Sequence, residues 1–174
     1  IAVDALGAKH GAIFAMDEER RFVLRAWVGK EGYTDEQITA EARPLLEWVV
    51  RENKTLILPA LETREEKLFA QPLLCAPLIC RDRMLGAMCV SDSKSRKNYS
   101  EDELKIISNL SYQIAISFEN LRLNKDMEQT YFETMSALAL AVEARDPYSR
   151  GHSERVGELA VKIGQDMRLS EKDI

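Results

Sequence analysis

Leu73-Leu74-Cys75-Ala76-Pro77-Leu78-Ile79-Cys80, the turn Arg81-Asp82-Arg83, and the return Met84-Leu85-Gly86-Ala87-Met88-Cys89-Val90 form the stretch on which the fold is decided. Two apolar runs of strand length on either side of a short charged turn describe a β-hairpin. Pro77 has no N–H to give to a ladder, so an edge or a bulge is expected there. Upstream, Ala12–Met16 ends in Asp17-Glu18-Glu19-Arg20, and Phe22–Val28 returns to close at Gly29, a second hairpin. Between the hairpins, Pro44 suits the first turn of a helix carrying Leu45, Leu46, Val49 and Val50 through Glu52. Thr55-Leu56-Ile57-Leu58 is a further strand, stopped by Pro59. Five strands with a helix among them predict an α+β domain: an antiparallel sheet flanked by helices.

Downstream the periodicity changes. Ser100 with Glu103 has the form of a capping box, in which hydroxyl and carboxylate each satisfy a free backbone N–H. Leu104, Ile107, Leu110, Ile114, Phe118 and Leu121 then recur at helical spacing, followed by Met127, Tyr131, Met135, Leu138 and Val142. With no Gly or Pro before Pro147, one helix of roughly 40 residues, about 60 Å long, is expected. Its middle extends beyond what one small sheet can cover. Ile107, Ile114 and Leu121 lie seven apart, a coiled-coil spacing, and a parallel two-helix connector between protomers follows from that row. The expected dimer and connector residues are Ile107, Ile114, Phe118, Leu121, Met127 and Tyr131; the alternative is a helix packed wholly on its own domain. Asp146-Pro147 should stop this helix. A second, from about His152 to Met167, opens another domain.

Composition narrows the function classes. The chain has 174 residues, 45% hydrophobic and 30% charged, which excludes a disordered or fibrous protein. A net charge of −5 argues against a nucleic-acid polymer as partner. No apolar run reaches the ~20 residues of a membrane helix, so no membrane contact is expected in this segment. Cys75, Cys80 and Cys89, odd in number and set in apolar text, are expected to be reduced core residues, which points to a cytoplasmic setting. Both ends look internal to a longer protein: Ile1 stands where a Met would, and Ser170 with Asp173 resembles the cap of another helix. That protein could carry a membrane anchor upstream.

Two resemblances join these readings. Leu6-Gly7-Ala8, Ala76-Pro77-Leu78, Leu85–Val90 and Tyr99-Ser100-Glu101-Asp102-Glu103-Leu104 resemble GAF sensory domains, over about residues 1–123. The resemblance implies sensing or dimerisation and leaves the ligand unnamed. The Asn-Lys…Phe-Asp-Glu signature of cyclic-nucleotide-binding members is absent, and no bilin-attachment cysteine context is recognisable. Ala137–Val156, containing Arg145-Asp146-Pro147-Tyr148-Ser149-Arg150-Gly151-His152-Ser153, resembles the start of an HD-GYP domain. That family belongs to the metal-dependent HD phosphohydrolases, many of which hydrolyse cyclic di-GMP in bacteria. Residues 124–174 would then be the connector helix and an incomplete all-α HD domain. The family's His-Asp pair and Gly-Tyr-Pro motif do not occur in these residues.

Candidate site residues follow. His152 matches the first metal-binding histidine of that family, so the resemblance implies about two or three divalent ions, iron or manganese, in the longer protein. One histidine cannot itself hold a catalytic metal, and no catalytic residue is expected within these 174. A capping or packed histidine is the alternative. Asp146 could support the site or simply end a helix. Arg145, Arg150 and Arg155 could approach phosphates or form a solvated basic turn. In the first domain Phe14, Trp27, Tyr33 and Trp48 are candidates to line a ligand cavity; ordinary core packing is the alternative for Phe14, Trp27 and Trp48. Glu18, Arg20 and Arg21 form a hairpin tip with no visible chemistry, and Asp92–Asn98 a polar loop. A ligand-free dimerisation scaffold and a redox, metal or haem sensor remain open functional alternatives.

Overall fold

The computed structural model describes residues 3, 6–60, 68–91, 98–145 and 151–170. Strands β1 (His10–Met16), β2 (Phe22–Val28), β3 (Leu56–Leu58), β4 (Leu73–Cys80) and β5 (Arg83–Ser91) form one sheet in the order β2-β1-β5-β4-β3. Every adjacent pair is antiparallel. Helix α1 (Asp35–Glu52) connects β2 to β3, and α2 (Glu101–Arg145) and α3 (His152–Asp166) follow β5. The chain divides into two compact units, Ile1–Leu121 and Arg122–Ile174.

The decisive hairpin sits mid-sheet, with side chains alternating between two apolar layers. Leu73, Cys75, Ala87 and Cys89 join Phe14, Ala12 and the α1 residues Ile38, Ala42, Leu46 and Val49 on one face. Leu74, Ala76, Leu78, Met88 and Val90 meet Ile107 and Ala115 of α2 on the other. Burial on both faces explains why these strands read as unbroken apolar text. Gly86 approaches β1 so closely that an added Cβ would land on the carbonyl oxygen of Phe14. The turn between Cys80 and Arg83 holds two residues, Arg81 at φ 49° and Asp82 at φ 63°. Two left-handed residues in succession match the twist of an antiparallel ribbon.

Pro77 obeys both sequence expectations. The register shifts between Leu78 and Ile79, next to it. β3 pairs only with Leu73–Cys75, so the outer edge of β4 at Pro77 carries no strand among the described residues. Cys75 and Cys89 stand opposite at a Cα separation of 4.0 Å, the narrow type of pair that exchanges no hydrogen bonds. Two residues on, Pro77 opposite Ala87 is of the same type, so its nitrogen points away from β5 and no ladder bond is lost.

Two expectations are corrected. The helix expected from Pro44 begins at Asp35. Thr34 caps it: its Oγ1 accepts from the Gln37 N–H at 3.3 Å, and Gln37 Oε1 accepts from the Thr34 N–H at 3.0 Å. Pro44 is tolerated inside the helix because it and Ala40, whose carbonyl loses its partner, both face outward. The expectation of three reduced cysteines fails for two of them. Cys75 and Cys89 are joined as a disulfide across the hairpin, and Cys80 alone is free and buried. The two-residue turn by itself would set Cys75 opposite Met88; the one-residue register shift between Leu78 and Ile79 sets it opposite Cys89 instead. With this pair goes most of the argument from cysteines to a cytoplasmic setting.

The capping box opening α2 is present: Ser100 Oγ accepts from the Glu103 N–H at 3.3 Å, and Glu103 Oε2 accepts from the Ser100 N–H at 2.8 Å. α3 has the expected span, but one helix does not define an all-α HD domain. No helix among the described residues is long and apolar enough to cross a membrane. Asp146, Pro147, Arg150, nearly all of the Asp92–Asn98 loop and the cap at Asp173 lie outside the described residues, as does the Arg145 side chain.

Candidate functional site

Three places carry chemistry. The first is the aromatic set on the α1 face of the sheet. Phe14 is wholly buried, and Trp27 and Trp48 pack partly buried against the same cluster. The Trp27 ring stacks on His10 with centroids 6.0 Å apart and meets Phe69 edge-on at 5.7 Å, while its indole N–H donates to the Lys30 carbonyl. Tyr33 stands apart, 41% exposed. The structure therefore groups Phe14, Trp27 and Trp48 as packing partners and leaves Tyr33 outside.

The second is a cleft of about 830 Å³ between the β1–β2 hairpin and α1, missed in the sequence. Met16, Phe22, Leu24 and Val50 give it an apolar floor. Thr39, Arg43 and Glu47, four apart, place one helix face along it. On the hairpin side Arg21 is held by Asp17 at 2.8 Å and Glu19 at 2.6 Å. Asp17 also accepts the Arg21 backbone N–H, and this bond first, then the guanidinium, holds its carboxyl below the ordinary carboxylate range. Arg20 and Arg43 have no ion pair among the described residues. Four arginines in the lining face four carboxylates, so the cleft selects no charge class. It suits a small molecule with an apolar body and polar ends. The signal for it was the arginine pair at the hairpin tip opposite an acidic helix start, which becomes visible only once α1 is known to begin at Asp35.

The third lies along α2 and α3. Ile107 is enclosed in the protein's own core, and Ile114 and Phe118 pack against the same cluster. Leu121, Met127 and Tyr131 are 67%, 66% and 63% exposed. The six expected seam residues thus divide, and any seam for a partner starts beyond Ile107. Within the second unit, Met135, Leu138, Ala139 and Val142 line a groove of about 400 Å³ with Glu143, His152 and Ser153. His152 is exposed. Glu143, which the sequence did not single out, is buried and accepts two backbone N–H groups of the α3 start, from Gly151 and Ser153. Among the described residues no group of three or more His, Cys, Asp or Glu could hold a metal ion. With Glu143 already committed to amides, His152 has no further ligand among the described residues, and these do not make a metal site.

Comparison with known proteins bears on the first unit. Residues 1–119 match the GAF domain family. No curated protein matches the sequence. The GAF domain of an Acinetobacter phosphoenolpyruvate-protein phosphotransferase is similar at TM-score 0.57 and 17% identity, over 71% of this chain and 78% of that one. The GAF-B domain of DevS from Mycobacterium smegmatis gives 0.56 and 15%, over 72% and 90%. A GAF domain/HD domain protein from Geobacter sulfurreducens gives 0.51 and 18%, over 70% and 87%. At such identities the likeness speaks to the fold.

Proposed function

The chain belongs to the GAF family, sensory and regulatory modules of signalling proteins, and from there we propose that it reports ligand or dimer state through α2 to an HD-GYP phosphohydrolase acting on cyclic di-GMP. The observation that carries this reading is the helix itself. α2 is unbroken from Glu101 to Arg145, with Ile107 and Ala115 in the core of the sensor and an exposed apolar row further on. A continuous helix passes on rotation or translation, whereas a loop absorbs it. The Ala137–Val156 motif supports the phosphohydrolase, as does the likeness of the fold to that of the Geobacter GAF domain/HD domain protein. The partner is a second copy of the chain through α2, in the cytoplasm. In the longer protein His152 would be one of several ligands to divalent metal; no catalytic step is assigned to it from these residues.

The test uses the full-length signalling protein, with hydrolysis of cyclic di-GMP in manganese buffer as its output. An insertion of about seven residues between Asn124 and Gln129, close to two turns, should preserve regulation, and one of about two residues, a rotation of roughly 200°, should abolish it. Indifference to both would sink transmission through the helix. No hydrolysis at all would sink the phosphohydrolase.

A second reading, a dimerisation scaffold without ligand, is favoured by one observation: Phe14, Trp27 and Trp48 fill the core. Native mass spectrometry retaining no small molecule, with no thermal shift across a nucleotide panel, would select it.

A further inference from the structure

Helix α3 begins without a cap of its own. Gly151 occupies its N-cap position at φ 70° and closes no side-chain hydrogen bond on the first turn. The first N–H groups of a helix have no partner inside it and must find one elsewhere. Here it comes from the preceding helix. Glu143 Oε2 accepts from the Gly151 N–H at 2.7 Å, and Glu143 Oε1 accepts from the Ser153 N–H at 2.5 Å. Both oxygens of one carboxylate are thus used on amides eight and ten residues further along the chain. Glu143 is only 7% exposed, between the exposed residues Val142 and Ala144. A carboxylate so enclosed is costly unless its charge is compensated, and the amides and the positive end of α3 compensate it. Ser153, then Gly151 and the nearby His152 hold its carboxyl below the ordinary range, against the opposing effect of burial.

We propose that Glu143 is a positioning residue: an interhelical clasp that fixes the first turn of α3, and His152 with it, to the last turns of α2. One hydrogen bond leaves a swivel. Two bonds to the oxygens of a planar carboxylate set both distance and rotation. Without the clasp, a displacement of α2 would reach the first turn of α3 less directly, through the intervening chain and the groove the two helices share. With it, the end of α2 and the start of α3 move as one piece. The clasp requires only bonds between two helices, so it stands whether or not the longer protein is a phosphohydrolase.

Shape-conserving and truncating variants of the 174-residue chain decide it. Glu143→Ala removes both acceptors. Glu143→Gln keeps one and turns an NH2 group toward the other N–H. Glu154→Ala, also in the first turn of α3, serves as the control. Amide exchange at Gly151 and Ser153 should quicken roughly tenfold or more in Glu143→Ala, the factor expected from losing a hydrogen bond to a charged group. The distance between spin-label amino acids placed at Gln129 and Lys162 should be a single narrow distribution in the parent chain and in Glu154→Ala. It should broaden in both Glu143 variants. Fluorescence of Trp27 and Trp48, both in the first unit, reports that the sensor remains folded. If α3 melts in Glu143→Ala, Glu143→Gln, which retains one bond, carries the decision by its distance width. Faster exchange with an unchanged narrow distance would reduce Glu143 to a local cap and overturn the clasp, as would unchanged exchange.

Discussion

Asp17 shows how one side chain closes a turn and what acid does to it. Its carboxylate binds the backbone N–H and the guanidinium of Arg21, both at 2.8 Å, and its carboxyl is held below the ordinary range. A carboxylate with a lower pKa folded than unfolded stabilises while it is ionised in both states. That contribution is lost as pH falls from the ordinary carboxylate range through the lowered folded value. Asp17→Asn should therefore melt below the parent chain at neutral pH, and the two melting curves should converge in acid, below about pH 4. Curves separated equally at both pH values would remove ionised Asp17 from the turn. The cysteines make a second prediction by counting. In denaturant without reductant one thiol should titrate, Cys80, and after reduction three. Three before reduction would return Cys75 and Cys89 to plain core residues.

The β4–β5 turn gives the prediction at the scale of elements. Arg81 and Asp82 both sit in the left-handed region, which costs a residue with a Cβ about 1–2 kcal/mol unless its side chain can compensate locally. Asp manages this better than Arg. The double substitution Arg81→Asn, Asp82→Gly should stabilise the chain by about 1 kcal/mol, read as a higher urea midpoint at unchanged slope. No gain would mean that these two residues are held by something beyond the turn. The strands were legible because their information is local: Phe22–Val28 and Leu73–Cys80 have the bounds the apolar runs gave them. The start of α1 was not, because Thr34 and Gln37 form an ordinary polar pair until a helix joins them, and Pro44 drew attention as a starting signal instead. Glu143 escaped notice for a related reason. Its partners are backbone amides eight and ten residues away, which no side-chain pattern encodes. The aromatic candidates were identified as a group but not by role, since a cavity and a core call for the same side chains.

At the scale of the whole molecule, assembly should depend on the part of α2 that the sheet does not use. Beyond Ile107 a row at heptad spacing, Leu121, Met135 and Val142 with Tyr131 and Leu138, is exposed. Asn124 and Glu128 interrupt it, the kind of polar insertion that fixes register at a cost in stability. Leu121→Lys should lower the solution mass measured by light scattering toward that of one chain while leaving tryptophan fluorescence intact. An unchanged mass would sink association through α2. Charging Ile107 instead would only unfold the sensor. Pro77 governs a different kind of association. Past Cys75 the flank of β4 has no neighbouring strand among the described residues, and such a bare flank is where foreign chains add and fibrils start. A proline facing outward there offers no hydrogen to a newcomer, so it acts as a gatekeeper at no cost to the ladder behind it. Pro77→Thr should fold normally, yet turn cloudy and bind thioflavin at concentrations at which the parent chain stays clear.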